Sequence, residues 1–136
     1  MKWRGVAVLI SLILGGTVSN SPSAESNWAG EYADKKLLNG QAVFEMSIGQ
    51  SGNVIQISFD AAYADAHGAA PDGDDQARIS GKNRLEFKWE DSFHNSGTGL
   101  ITRAGDGIVV SMKTMHVEEP PCLAFYGQNM RFKRVK

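Results

Sequence analysis

Three histidines, one cysteine and a run of aspartates carry most of the chemistry this 136-residue chain offers. His67, His94 and His116 are far apart in sequence. Imidazole suits zinc or copper, so three loops each delivering one histidine would make a metal site. Their spacing matches no compact metal motif, and solvated loop histidines are the plainer reading. No metal or other cofactor is expected. The segment from His67 to Asp75 ends in Asp-Gly-Asp-Asp, a carboxylate-rich turn of the kind calcium loops use. It lacks the later Glu and the flanking helices of an EF-hand, which leaves an acidic loop suited to adaptable binding. Asp91-Ser92-Phe93-His94 gathers Asp, Ser and His, but triads form in space and not along a chain. Cys122 has His116 nearby, yet Pro120-Pro121 before it reads as a rigid turn, not an activating helix N-terminus. Gly97-Thr98-Gly99 lacks the rest of a phosphate-cradling loop and reads as a strand-edge feature. The chain is not expected to be an enzyme.

What positions these residues is a set of alternating segments. Ala42, Phe44, Met46 and Ile48 share one face, with Glu45 and Ser47 on the other. Ile55, Ile57 and Phe59 alternate with Gln56, Ser58 and Asp60, and Leu85, Phe87 and Trp89 with Glu86, Lys88 and Glu90. Period two with one apolar face is an antiparallel sheet wetted on one side. The aromatics Phe44, Phe59, Phe87, Trp89 and Phe132 belong to the core on this pattern. Strands are expected at about 28–33, 41–48, 53–60, 76–80, 84–90, 98–103, 107–115 and 129–135, and 122–126 could add a short extra one. No stretch predicts a convincing helix.

Connection lengths turn these strands into an architecture. With strands running up and down in order, the turns at 49–53, 81–83 and 104–106 fall at one end. The longer segments 34–40, 61–75, 91–97 and 116–128 fall at the other. The expected fold is all-β, an eight-stranded antiparallel up-and-down barrel, wide enough to be filled by side chains or to hold one small ligand. Its long-loop mouth collects the candidate ligand- or partner-binding residues: His67, Asp72, Asp74, Asp75, Asp91, His94, His116, Glu118 and Tyr126. Long loops on a rigid scaffold are where binding groups concentrate.

Trp28-Ala29-Gly30-Glu31-Tyr32 opens the first strand, and Met130-Arg131-Phe132-Lys133-Arg134 forms the last. These segments and the strand layout resemble the calycin superfamily, which holds lipocalins, avidins and fatty-acid-binding proteins. Members carry a Trp at the start of strand one and a basic residue on the last strand that packs across it. The resemblance implies that Trp28 and Arg134 are structural and stack at the closed end, and that a small apolar ligand occupies the barrel.

The N-terminus reads as an export signal. Lys2 and Arg4 precede an apolar run from Val6 to Leu14, then a small, polar stretch from Gly15 to Ala24. The run is about half the length that spans a bilayer. The chain thus divides into a signal at 1–24 and a single barrel domain at 25–136, with no transmembrane segment after signal removal. A periplasmic or secreted product is expected. Loss of Lys2 and Arg4 leaves 12 basic against 15 acidic side chains, a net of −3, which argues against a nucleic-acid partner. Cys122 is the only cysteine, so no internal disulfide forms, and burial and sheet hydrogen bonds must hold the fold. The sequence therefore supports an exported barrel that binds a small apolar ligand or a partner at its loop mouth. The alternative is an inhibitor or immunity protein that blocks an enzyme through a protruding loop.

Overall fold

The computed structural model describes residues 27–136, and the expected export signal at 1–24 lies outside them. Strands β1 (Gly30–Lys36), β2 (Ala42–Ser51), β3 (Val54–Tyr63), β4 (Asp72–Gly81), β5 (Arg84–Glu90), β6 (Ser96–Ala104), β7 (Gly107–His116) and β8 (Met130–Arg134) follow one another around a closed barrel. Every neighbouring pair is antiparallel, and β1 closes on β8 through Tyr32↔Arg134 and Ala33↔Lys133. Among the described residues no helix is long and apolar enough to cross a membrane.

The two ends differ as the connection lengths require. Two-residue turns at 52–53, 82–83 and 105–106 occupy one end. Gly52 and Gly105 take φ of +61° and +63° there, a conformation other residues enter at a cost. The connections at 37–41, 64–71, 91–95 and 117–129 occupy the other end.

Strand bounds shift by up to four residues from those expected, β1 starting at Gly30 after Trp28, and two departures bear on the site. β4 starts at Asp72, not near 76, so Asp72, Asp74 and Asp75 are strand residues and the loop before them is only 64–71. Register with β3 is explicit: Asp60↔Asp72, Ser58↔Asp74 and Ile57↔Asp75. The alternation was hidden because the inward positions are Gly73 and Asp75 instead of large apolar residues. Gly73 is small for a reason, since a Cβ there would lie 2.7 Å from the Phe59 ring. The segment 122–126 is not a ninth strand. Residues 122–125 lie in a 3-10 turn, Pro120–Phe125, started by the two prolines, and Tyr126 follows it in extended backbone.

The barrel is filled from both ends. Phe44 lies 5.7 Å from Phe59 and 5.1 Å from Phe132 between ring centroids, and Phe59 lies 6.4 Å from Trp89. Such spacings are those of aromatic rings in contact. Phe87 packs over Gly99, where a Cβ would come within 2.3 Å of the ring. Gly97-Thr98-Gly99 is therefore not an edge feature. It sits in β6, paired on both sides, with Gly99 leaving room for a core ring.

Trp28 seals the tight-turn end and is fully buried. Its cation is Arg103 from β6, whose guanidinium carbon stands 4.0 Å from the indole centroid. Arg103 also donates to the Asn27 carbonyl at 3.0 Å. The expected partner, Arg134, instead lies over the Tyr32 ring at 5.8 Å. The reason is register: Arg134 is opposite Tyr32 on β1, whereas the end of β6 reaches the N-terminal segment at the tight-turn end.

Candidate functional site

The long-loop end is built around a buried polar latch. Asp91, only 3% exposed, follows the end of β5, and Asn95, fully buried, precedes β6. The Asp91 carboxylate accepts four hydrogen bonds: Phe93 N–H at 2.9 Å, Asn95 N–H at 3.0 Å, Asn95 Nδ2 at 2.9 Å and the Tyr126 hydroxyl at 2.6 Å. Asn95 Oδ1 in turn accepts the backbone N–H groups of Glu118 and Glu119 at 2.8 and 2.9 Å. A buried carboxylate is costly unless its lone pairs are occupied, and here they are. The latch ties the β5–β6 loop to the β7–β8 connection, two segments that are remote in sequence. His94 within it adopts φ of +69°, unusual for a residue with a side chain and held by the surrounding bonds.

Tyr126 connects the latch to the core. Its ring lies 4.5 Å from Trp89 and 6.3 Å from both Phe44 and Phe59. Burial and the hydrogen bond to Asp91 push its phenol well above the usual range, so it stays a neutral donor. Phe125 packs beside it against Tyr63, and Tyr63 stacks on His67 at 4.1 Å. Together Phe125 and Tyr126 close this end from inside. Cys122 is buried under the same segment. Burial, and then the charges of Asp91 and Glu119, raise its thiol pKa, which works against a thiolate.

The candidate residues separate into four groups. Asp91 and Tyr126 are interior and structural in their contacts. His67, His94, His116 and Glu118 are exposed on the rim, and each histidine holds its own carboxylate: His67 with Asp65, His94 with Glu90, His116 with Glu118. The bond from His67 holds Asp65 below its ordinary pKa. Among the described residues no three such side chains come together to hold a metal. Asp72 and Asp74 face outward from β4, where the row Glu45–Asp60–Asp72 runs straight across three strands. Burial first, then the charges of Glu45 and Asp72, raise the Asp60 pKa.

Asp75 is different again. It points to the core side of β4, where the β4–β5 ladder begins only at Ala77↔Phe87. Its carboxyl takes the Glu90 N–H that this opening frees, while Oδ2 is buried without a partner. Burial, opposed by that hydrogen bond and helped by Asp74 and Glu90, raises its pKa to about 6.

Sequence reasoning missed Asn95 and the Asp91–Tyr126 bond. The available signal was Asp91 and Asn95 four apart in a loop between apolar strands, a spacing that suits side-chain capping of a turn. It also missed Arg103, whose position at a strand end beside a two-residue turn carries no pattern of its own. No protein-family model, no curated protein and no solved structure matches this chain.

Proposed function

We propose that this chain is an exported, calycin-like barrel that binds a protein partner on the outside of its long-loop end, as an inhibitor or immunity protein does. The observation that carries this reading is the filled interior. A barrel that carries an apolar ligand keeps room for it. Here Tyr126 packs at 4.5 Å on Trp89 between the Phe44 and Phe59 rings, where such a ligand would sit. The sequence alone leaves ligand and partner both open, and this packing weighs toward the partner.

The latch supports the same reading. Binding costs less when loops are already fixed in place. Asp91 and Asn95 fix the β5–β6 and β7–β8 connections against each other, and His67 is held by Tyr63. His67, His94 and His116 with their carboxylates then present a firm polar rim. The test is site-specific photo-crosslinking in the native envelope. A photoreactive residue at His67 or His94 should capture one discrete partner, and one at Lys82 on the tight-turn end should not. Capture from Lys82 alone would contradict the proposal.

A further inference from the structure

We infer that the outer face of β4–β7 carries a second site, which takes a small amphiphilic anion: an apolar chain ending in a carboxylate or a phosphate. This site goes beyond the partner reading and does not depend on it. A groove of about 650 Å³ runs across the outer face of these strands. That volume lies within the range of small-molecule sites, about 300–1,000 Å³. The outward side chains of its walls include Arg78, Glu86, Lys88, Thr98, Leu100 and Lys113.

Charge sets the polar end of the ligand. The register Lys88↔Thr98↔Lys113 places two ammonium side chains on either side of one hydroxyl, on three adjacent strands. Among the described residues four ion pairs form, and neither lysine belongs to one. The acids that flank Lys88 on its own strand are each paired with another side chain, Glu86 inside the groove itself. Glu86 pairs with Arg78, and Glu90 with His94. With Glu86 spent on Arg78, the two unpaired lysines leave the groove net positive and favour an anion between them, and Thr98 supplies a further donor.

Apolar surface sets the other end. Leu100 follows two residues after Thr98 on the same face and is 41% exposed in the groove. Met115, 65% exposed, extends the apolar surface beyond Thr98 in an adjoining depression that shares Lys88 and Thr98 with the groove. A ligand with its headgroup at the Lys–Thr–Lys row can lay its chain on Leu100 or on Met115. The sheet backbone beneath is fully paired across β5, β6 and β7, so a peptide cannot add as a strand here.

The experiment is an NMR titration of the full barrel domain with octyl phosphate and with octanoate, each below its micelle concentration. Saturable shifts are expected at Thr98, Leu100 and Ser111. The two anions distinguish a phosphate from a carboxylate headgroup, whichever binds tighter. Octyl glucoside, the neutral analogue, should give no saturable shift there. The double variant Lys88→Gln/Lys113→Gln should weaken binding at least about tenfold, the scale of losing a charge-assisted pair. Added salt should weaken binding to the unaltered protein, which tests the charge term without any substitution. No saturable shift, equal affinity in the double variant, or tighter binding of an acidic hexapeptide than of either amphiphile would overturn the assignment.

Discussion

Replacing Asp75 by asparagine should make the protein more stable at neutral pH and should flatten its stability profile in mild acid. The carboxyl titrates at about 6 in the fold against an ordinary 3.8. A shift of that size makes the ionised form on the order of 3 kcal/mol less favourable in the native state. Asp75 keeps partial solvent contact, and screening trims the cost, so we expect about 1.5 kcal/mol. The sign follows from proton binding. Between 3.8 and about 6 the native state holds a proton that the unfolded chain has released. Stability from this group is therefore complete below 3.8, falls as pH rises through the window, and is gone above about 6. Asp60, also raised, acts in the same direction. An asparagine keeps the oxygen that accepts the Glu90 N–H and removes the charge. Urea unfolding followed by tryptophan fluorescence, run on both proteins from below 4 to neutral pH, measures the gap. The gap should be widest at neutral pH and close as the pH falls, with all other titrating groups cancelling. A gap that does not change with pH, or an Asp75→Asn variant that is the less stable at neutral pH, would refute the reasoning.

Two further outcomes follow from the ends of the barrel. Trp28→Ala should cost about 3 kcal/mol or more, Arg103→Ala about 1 kcal/mol through its stacking, and Arg134→Ala less, all read from denaturant midpoints. Equal losses at Arg103 and Arg134 would contradict the assignment of Arg103 to Trp28. Asn95→Ala should cost about 2–4 kcal/mol, because it strips a donor from buried Asp91 and orphans two backbone N–H groups. Hydrogen exchange at Glu118 and Glu119 should then accelerate, and unchanged protection would show that the latch does not hold that connection.

How much of this was legible depended on which force fixed each part. Strands whose inward residues are large and apolar, such as Phe44–Met46–Ile48 and Leu85–Phe87–Trp89, announce themselves by period two, and they lie where the alternation puts them. The order of short and long connections was enough to place the two ends. β4 was blurred because its inward positions read Gly73, Asp75, Ala77. Gly73 is set by the bulk of Phe59, its register partner on the neighbouring strand β3, and Asp75 by a gap in a ladder, neither of which is local in sequence. The candidate site was legible as a neighbourhood and not as a set of roles. The three histidines and Glu118 lie on the rim of the long-loop end, Asp72, Asp74 and Asp75 lie along β4, and Asp91 and Tyr126 turn inward. That choice rests on their bond to each other over 35 residues. The Arg103–Trp28 contact likewise spans most of the chain and leaves no periodic trace.

The proposal of a partner surface outside the barrel rests on an interior occupied by its own side chains. The most direct measurement is aromatic NMR of the barrel domain titrated with a neutral apolar probe, xenon. The account predicts no saturable shift at the rings of Phe44, Phe59, Trp89 and Tyr126. Saturable shifts at those four rings would mean that the interior admits a ligand, and would contradict it.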